Sequence, residues 1–280
     1  MSDGGKASPY RGPIIDTHVH PMLPGESPIT GVPHAASDYL RQISGADVRF
    51  AAALVMAPRG DLARTRALND KVLDLSREPG SRFFTVCSVH PSDGADALAE
   101  IDRVAKEGAK GLKLHPNTQS FDVSEPVVRD VVARATEHRL PVLFDAYSPF
   151  DADQPGKFVR LAMEVPEGRI ILPHAHGPRF ADLLVYEILA RYPWWKRNVW
   201  VDLSATGLLL AGGPFAAQFA WVCRKVGIDR LLFGSDYPLD DPSTAIASMT
   251  TYGFSPEELS SIFHDNGARL FDLPPGAPLP

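Results

Sequence analysis

Residues 13–20 read PIIDTHVH, and this stretch places two histidines at the end of a short apolar run. β-branched residues favour a strand, and the two-residue repeat of a strand puts His18 and His20 on one face. Seven more such runs follow, with starts spaced by about 27 to 36 residues, the length of one βα unit. They read RFAAALVM from residue 49, RFFTVCSVH from 82, AKGLKLH from 109, LPVLFDAY from 140, RIILPHAH from 169, VWVDLSA from 199 and RLLFGSDYP from 230.

Segments of helical period separate these runs, most clearly over 61–77, 95–107, 125–138, 178–192 and 214–226. Apolar strands that alternate with helices are typical of a parallel sheet covered on both faces. Eight consecutive units predict a closed (β/α)₈ TIM barrel of the α/β class. An open doubly wound sheet is the alternative, and it is disfavoured because no glycine-rich dinucleotide turn follows the first strand.

The predicted domain organisation is simple. Residues 13–272 are expected to form one barrel domain, preceded by a flexible N-terminal segment (1–12) and followed by a C-terminal tail (273–280). Residues 21–33, which read PMLPGESPITGVP, are too rich in proline and glycine for a helix or strand. We expect them to form a loop over the mouth of the barrel.

The composition excludes several classes of function. The 280 residues carry 28 basic and 34 acidic side chains, a net charge of −6, so a nucleic-acid partner is not expected. No apolar run approaches the ~20 residues that span a bilayer, so no membrane partner is expected either. Two cysteines, Cys87 and Cys223, suit a reducing compartment, and the first residues lack a signal-peptide pattern. These features predict a cytoplasmic protein.

Histidine or aspartate ends six of the eight predicted strands. A barrel carries its working residues at the C-terminal ends of its strands, so these side chains are expected to surround one mouth. Neutral imidazoles together with carboxylates suit Zn²⁺ or a related first-row ion. The residues concerned are His18, His20, His90, His115, Asp145, His174, His176 and Asp236.

Taken in order, the motifs resemble the amidohydrolase superfamily, and within it the amidohydrolase-related (amidohydrolase 2) branch of metal-dependent hydrolases and decarboxylases. They extend from near one end of the chain to near the other, so the resemblance covers the whole barrel. The motifs are IIDTHVH at 14–20, GLKLHP at 111–116, LPVLF at 140–144, RIILPHAHG at 169–177, DRLLFGSDYP at 229–238 and DNGARLFDL at 265–273.

The resemblance implies roles for individual positions. His18 and His20 match the family's paired metal ligands, and Asp236 matches the aspartate that holds the metal and accepts a proton from the attacking water. His174 matches the strand-six histidine, which is a ligand in two-metal members and an acid or base in one-metal members. One or two divalent ions per chain are therefore expected, with Zn²⁺ preferred and Mn²⁺ as the alternative.

Position 145 departs from the family pattern. Strand five normally supplies a histidine ligand, and here Asp145 occupies that place. A carboxylate still ligates Zn²⁺ and makes the site more tolerant of Mn²⁺ or Mg²⁺. The open alternatives are weaker metal binding, or a ligand role for His115 or His90.

The resemblance implies hydrolysis of a small organic substrate, an amide, a lactone or a related carbonyl compound, through a metal-activated water. Asp236 would move the proton, and His174 or Lys113 would steady the charge on the carbonyl oxygen. The other polar residues expected near the mouth are predicted to bind substrate. They are Arg59, His115, Tyr147, His176, Arg179 and Tyr237.

Two other functions stay open at this point. The same metal scaffold supports nonoxidative decarboxylation in the family, and a barrel that has lost its metal would act as a binding protein. Asp145 keeps the second alternative open, whereas His18, His20, His174 and Asp236 argue against it. The expected partner is a small molecule, and assembly into a homodimer is left open.

Overall fold

A computed structural model describes residues 10–274 of the chain. Residues 1–9 and 275–280, which include most of the predicted N-terminal segment and C-terminal tail, lie outside the described residues. Eight parallel strands form one sheet, in which each strand pairs with the next in the sequence. The strands are β1 (Ile14–Val19), β2 (Val48–Leu54), β3 (Phe83–Ser88), β4 (Gly111–Leu114), β5 (Val142–Phe144), β6 (Ile170–Leu172), β7 (Val199–Asp202) and β8 (Leu231–Leu232).

The chain that follows β8 returns to β1 and nearly closes the barrel. The Thr17 backbone N–H donates to the Phe233 carbonyl at 2.9 Å, and the His20 N–H donates to the Tyr237 carbonyl at 2.7 Å. Val19 also forms a parallel bridge with Tyr237. The predicted (β/α)₈ barrel is therefore confirmed, and the open doubly wound sheet is excluded.

Helices cover the outside of the barrel, and local sequence sets several of their ends. The Asp61 side chain accepts the Arg64 N–H at the start of the second helix, and Ser255 and Glu258 form a capping box at the eleventh. The helices are α1 (Ala36–Gln42), α2 (Leu62–Arg77), α3 (Ala95–Lys106), α4 (Pro116–Gln119), α5 (Pro126–Glu137), α6 (Gln154–Glu164), α7 (Leu184–Leu189), α8 (Thr206–Leu209), α9 (Ala216–Val226), α10 (Pro242–Met249), α11 (Pro256–Ser260) and α12 (Asn266–Leu270).

The helix predicted over 178–192 differs from the structure. Turns of 3₁₀ type occupy Pro173–Leu183, and the α-helix is limited to α7. The chain leaves β6 through left-handed backbone, with φ of 64° at His174 and 58° at Gly177, so a regular helix starts later. Shorter 3₁₀ turns lie at Pro91–Asp93 and Ile228–Arg230, and a π-helical turn at Ser261–Asp265.

Apolar side chains fill the barrel interior and the layer between strands and helices. Leu270 and Phe271 pack into the end of the barrel where the strands begin, and Phe271 lies against Phe84 of β3 with ring centroids 4.9 Å apart. This end is closed, so the opposite end, where the strands finish, is available for a site. Within residues 10–274, no helix combines the length and the apolar character required to cross a bilayer.

Candidate active site

His18 of β1, His20 just after that strand and Asp236 after β8 direct their ligand atoms to one point. The Nε2 atoms of His18 and His20 are 3.1 Å apart, and Asp236 Oδ1 lies 3.4 Å and 3.9 Å from them, respectively. Ligands about 2.1 Å from a tetrahedral Zn²⁺ lie about 3.4 Å from one another, so this donor set fits such an ion. Among the described residues, these three form the compact group able to hold a metal.

A buried carboxylate on β7 sets the orientation of His18. Asp202 Oδ2 lies 3.1 Å from His18 Nδ1, and both side chains are shielded from solvent. This contact assigns the proton to Nδ1 and leaves the Nε2 lone pair free to bind an ion. The arrangement is common behind metal-bound histidines. We call His18, His20 and Asp236 the ligand cluster. Asp202 also accepts the Ser204 N–H at 2.8 Å, so its own position is fixed.

Asp202 was not among the residues predicted from the sequence. A signal was present, because the run VWVDLSA carries an aspartate after three apolar residues, where its strand could end. Asp16, also missed, ties β1 to the chain after β8: it accepts the Ser235 N–H at 2.8 Å and the Tyr39 hydroxyl at 2.9 Å. Burial raises the pKa of Asp16 to about 7, although these hydrogen bonds oppose the rise.

Asp145, His174 and His115 form a second polar group beside the cluster. Asp145 Oδ2 accepts a hydrogen bond from His174 Nε2 at 3.1 Å and lies 3.3 Å from His115 Nε2. Burial lowers the pKa of His174, but the bond to Asp145 and the charges of Asp236 and Asp145 outweigh it and raise the pKa to about 9. Burial, with the nearby Lys113 charge, lowers the pKa of His115 to about 4. Asp145 and His174 thus form a partly buried ion pair.

Lys113 of β4 places a buried amine against the same cluster. Its side chain is 1% exposed, and Nζ lies 3.2 Å from His18 Nε2. Burial lowers the pKa of Lys113, while the carboxylates of Asp145, Asp236 and Asp202 oppose the shift. An amine that can carry a positive charge therefore lies at the base of the site.

Backbone conformation at the site is unusual for residues with side chains. Asp236 has φ of 61°, and three consecutive residues after β6, His174, Ala175 and His176, have φ of 64°, 46° and 61°. Left-handed backbone costs such residues about 1–3 kcal/mol each and clusters at functional sites, where the surrounding structure holds it. The two predicted acid–base residues, Asp236 and His174, both carry this strain.

Two cavities flank the cluster. The first, here called the His20 cavity, has a volume of about 660 Å³ and is largely apolar; it includes His20, Met22, Ile29, Leu54, Met56, Arg59 and Leu68. The second, here called the Asp236 cavity, measures about 740 Å³; it includes His115, Asp145, Tyr147, His174, Leu208 and Asp236. A substrate therefore has room on both sides of the ligand atoms.

Comparison with known proteins assigns this chain to a family. Residues 15–273 match the family model described as amidohydrolase. The chain belongs to the amidohydrolase family. An uncharacterized protein, y4mH of Sinorhizobium fredii, is 26% identical over 138 residues, which is 41% of this chain and 42% of that relative.

Solved structures similar to this amidohydrolase include enzymes of two reaction types. The 5-carboxyvanillate decarboxylase of Sphingomonas paucimobilis has a TM-score of 0.71 at 14% identity, over 94% of this chain and 99% of that one. The 2,6-dihydroxybenzoate decarboxylase of Rhizobium gives 0.72 at 15%, over 94% and 99%. A Pseudomonas putida protein described as a 2-pyrone-4,6-dicarboxylic acid hydrolase gives 0.67 at 21%, over 93% and 97%. These likenesses show the fold, and the family match identifies the chain as an enzyme of the amidohydrolase superfamily.

The structure places some of the predicted substrate-binding residues of the amidohydrolase at the cavities. Arg59 lines the His20 cavity, and His115 and Tyr147 line the Asp236 cavity. Tyr237 is 3% exposed and packs edge-on against Tyr39, with ring centroids 5.4 Å apart. It therefore lies beneath the site and contributes little surface to either cavity.

Three other rim residues point away from the ligand cluster. His176 is buried, and its Nδ1 lies 2.7 Å from the Ala146 carbonyl. Arg179 donates to the Ala152 carbonyl at 2.6 Å and pairs with Asp182 at 2.8 Å, outside the Asp236 cavity. His90 Nε2 lies 2.7 Å from the Gln119 carbonyl, so this histidine supports a loop instead of the metal position.

Proposed function

We propose that this amidohydrolase hydrolyses a small carbonyl substrate, an amide or a lactone, with one divalent ion held by His18, His20 and Asp236. The observation that carries the proposal is the convergence of these three ligand atoms, with the His18 tautomer fixed by Asp202. Zn²⁺ is the preferred ion because two imidazoles and a carboxylate suit it, and Mn²⁺ is the alternative. When bound, the ion polarises the carbonyl and supplies a nucleophilic water at neutral pH.

Asp236 carries the proton in the proposed reaction. One of its oxygens, Oδ1, lies with the histidine ligand atoms, and the other, Oδ2, lies 4.0 Å from His174 Nδ1. The carboxylate also lines the Asp236 cavity, so it reaches both the ligand cluster and a bound substrate. It accepts a proton from the attacking water and returns it to the leaving oxygen or nitrogen.

Positively charged groups near the carbonyl oxygen of the substrate stabilise the negative charge that develops on that oxygen during the reaction. His174 is held by Asp145 and faces the Asp236 cavity, and Lys113 lies below the ligand atoms. Both are fixed before substrate arrives, so their charges need no reorganisation during the reaction. Asp145 acts in this proposal as the partner of His174. A role as a metal ligand is the alternative, which the metal content of the Asp145→Asn variant tests.

The two cavities suggest how a substrate lies in the site. The reacting carbonyl is placed at the Asp236 cavity, where Asp236 and His174 meet, and an apolar part of the substrate extends into the His20 cavity. Arg59 at that cavity would hold a carboxylate of the substrate. The substrate class is therefore a small carbonyl compound with an apolar body.

Nonoxidative decarboxylation is the second candidate. Buried Lys113 beside the ligand cluster offers a charge for a substrate carboxylate, and two of the similar structures are decarboxylases. Release of carbon dioxide distinguishes this reaction from hydrolysis. A metal-free binding protein is the remaining alternative from the sequence.

Metal analysis together with turnover tests the proposal. Protein purified without chelator or nickel is expected to contain about one Zn²⁺ or Mn²⁺ per chain by plasma mass spectrometry, and to turn over members of a lactone, amide and carboxylic-acid panel. Asp236→Asn is expected to lower turnover about 10²–10⁴-fold, and His18→Asn to lose the metal. Asp130→Asn, an exposed aspartate on α5, is the matched control. Unchanged turnover in folded Asp236→Asn would refute the proposal.

A further inference from the structure

A third cavity lies at the opposite end of the barrel from the candidate metal ligands. It has a volume of about 270 Å³ and sits where β6, β7 and β8 begin, against α12. We call it the arginine cavity. The residues that line it are Arg169, Trp200, Asp229, Arg230, Asn266, Arg269 and Leu270. Three guanidinium groups therefore surround a small space that contains one carboxylate.

Two of the three arginines are held mainly by neutral oxygen atoms. Arg169 donates to the carbonyls of Arg139 at 3.3 Å and Leu270 at 3.2 Å. Arg269 donates to the Asp265 carbonyl at 3.2 Å and to the Asn266 side chain at 2.7 Å. These contacts fix the orientation of the guanidinium groups without neutralising their charge.

Arg230 is oriented by an aromatic ring and shares a carboxylate with another arginine. Its guanidinium carbon lies 4.7 Å from the Trp200 ring centroid, and its Nη1 lies 3.3 Å from Asp229 Oδ2. Asp229 also pairs with Arg197 at 3.0 Å. The Arg230 Nε atom is buried and has no hydrogen-bond partner among the described residues. This donor is therefore unsatisfied in the part of the chain that the structure describes.

The side chains around the arginine cavity carry a net positive charge, whereas the chain as a whole is negative. Burial lowers the pKa of Arg230; Asp229 opposes the shift, and the charges of Arg197 and Arg269 add to it. At Arg169, burial and Arg139 act in the same direction, against Asp272. The whole chain carries a net charge of −6, so this concentration of positive charge is a local feature. An anion would relieve the mutual repulsion of the guanidinium groups.

We propose that the arginine cavity binds a compact oxyanion with two or more negative charges, such as a phosphate group or a small polycarboxylate. Guanidinium groups match both chemistries because their paired N–H donors fit two oxygens of one group. The cavity is smaller than the ~300–1,000 Å³ that usually takes cofactor-sized ligands, which favours a compact anion. The site is separate from the metal cluster and independent of the proposed hydrolysis.

A purely structural role is the competing explanation, since arginines at this end of a barrel also attach the C-terminal helix. The two explanations differ in one measurable property, which is anion binding at constant ionic strength. A structural cluster binds no anion in a saturable way, whereas a built site binds about one per chain. Equilibrium dialysis against radiolabelled inorganic phosphate, with potassium chloride keeping the ionic strength constant, measures this property directly.

The variants Arg230→Met and Arg269→Met are each expected to weaken phosphate binding about tenfold or more, because each removes charge-assisted hydrogen bonds. Arg160→Met, which removes an exposed arginine paired with Glu164 on α6, is the matched control and should bind as the unmodified protein does. Asp236→Asn and His18→Asn should also keep binding, which separates this site from the metal centre. Arg269 is exposed, so its variant still decides the question where Arg230→Met does not fold.

Several results would overturn the proposal. One is the absence of saturable phosphate or citrate binding at concentrations up to millimolar. Another is that Arg160→Met loses as much phosphate affinity as the cavity variants, or that both cavity variants keep their phosphate affinity. The last is that phosphate binding is lost in Asp236→Asn instead. Competition then distinguishes the sources of the anion. Displacement of phosphate by pyrophosphate but not citrate supports a phosphate ligand, and displacement by citrate supports a polycarboxylate.

Discussion

Asp202 Oδ2 lies 3.1 Å from His18 Nδ1, on the side of the imidazole away from Asp236. The two residues come from β7 and β1, and neither is exposed. The carboxylate therefore fixes which nitrogen of His18 carries the proton, and so which one is free for an ion. Both the negative charge of Asp202 and the position of its Oδ2 atom contribute to this orientation of His18.

Replacing this carboxylate is expected to weaken metal binding. Asp202→Asn keeps the size of the side chain and one acceptor oxygen for the Ser204 N–H, but removes the charge behind His18. We expect Zn²⁺ affinity to fall about 10–100-fold, as for other carboxylates behind metal-bound histidines. A competitive titration with a chromophoric chelator measures the affinity, and exposed Asp130→Asn is the control. Equal affinities in all three proteins would contradict this assignment of Asp202.

Gly234 keeps space for the same pair. A Cβ atom at this position would lie 2.5 Å from Asp202 Oδ1 and 2.8 Å from His18 Cβ. Gly234→Ala is therefore expected to displace one of these buried groups and to reduce the free energy of unfolding by about 1–3 kcal/mol. Metal affinity should fall in the same variant, because His18 and Asp202 can no longer keep their contact.

Gly156 in α6 provides a matched control for the alanine substitution. A Cβ at Gly156 meets no atom within 4 Å, and the residue has an ordinary helical conformation. Gly156→Ala is expected to raise stability by about 0.4–1 kcal/mol and to leave metal affinity unchanged. Urea unfolding followed by circular dichroism compares the two variants. A stable, metal-binding Gly234→Ala protein would show that the contact tolerates movement.

Asp145→Asn separates two hypotheses about the residue that departs from the family pattern. If Asp145 acts through His174, metal content should stay the same while turnover falls about 10–100-fold. In metal-free protein the pKa of His174 should drop below about 9, because the carboxylate charge that raises it and strengthens its hydrogen bond is lost. Nitrogen NMR of the imidazole measures the shift, and metal analysis gives the stoichiometry. Loss of the ion in this variant would instead make Asp145 a ligand.

Glu100 lies on α3, away from the candidate active site. We expect it to make the stability of the protein depend on pH. Its buried carboxylate accepts bonds from Arg103 at 2.7 Å and Asn69 at 2.8 Å. Burial raises the pKa of Glu100, but these bonds and the Arg103 charge outweigh it and hold the pKa below its ordinary value. The stabilisation is therefore present above pH about 4.5 and is lost as the pH falls through the folded-state pKa.

Glu100→Gln is expected to lower the free energy of unfolding by about 1–3 kcal/mol at pH 7. The difference from the unmodified protein should shrink as the pH is lowered below about 4.5, because the native carboxylate then becomes protonated. Denaturant titrations at several pH values test this, with the exposed Glu167→Gln as the control. A difference that stays constant with pH would contradict the sign of the shift.

Much of the fold and part of the site could be predicted from local sequence. Every predicted apolar run contains a strand of the barrel, because strand propensity and burial act within a few residues. The two-residue repeat of β1 likewise explains why His18 and His20 share a face. The helix over 178–192 was predicted too long, since its helical period does not show that the chain leaves β6 in left-handed backbone and continues in 3₁₀ turns to Leu183.

What the sequence by itself determined is the strands of the barrel and the candidate ligand side chains, His18, His20 and Asp236, that stand at the ends of two of them. Which partners orient those side chains was decided by the tertiary structure. Asp202 lies 184 positions from His18 along the chain, and His174 lies 29 positions from Asp145. No local pattern relates such pairs. Asp145 and His174 become neighbours when β5 pairs with β6, whereas Asp202 meets His18 only when the sheet curves and β1 meets the chain that follows β8.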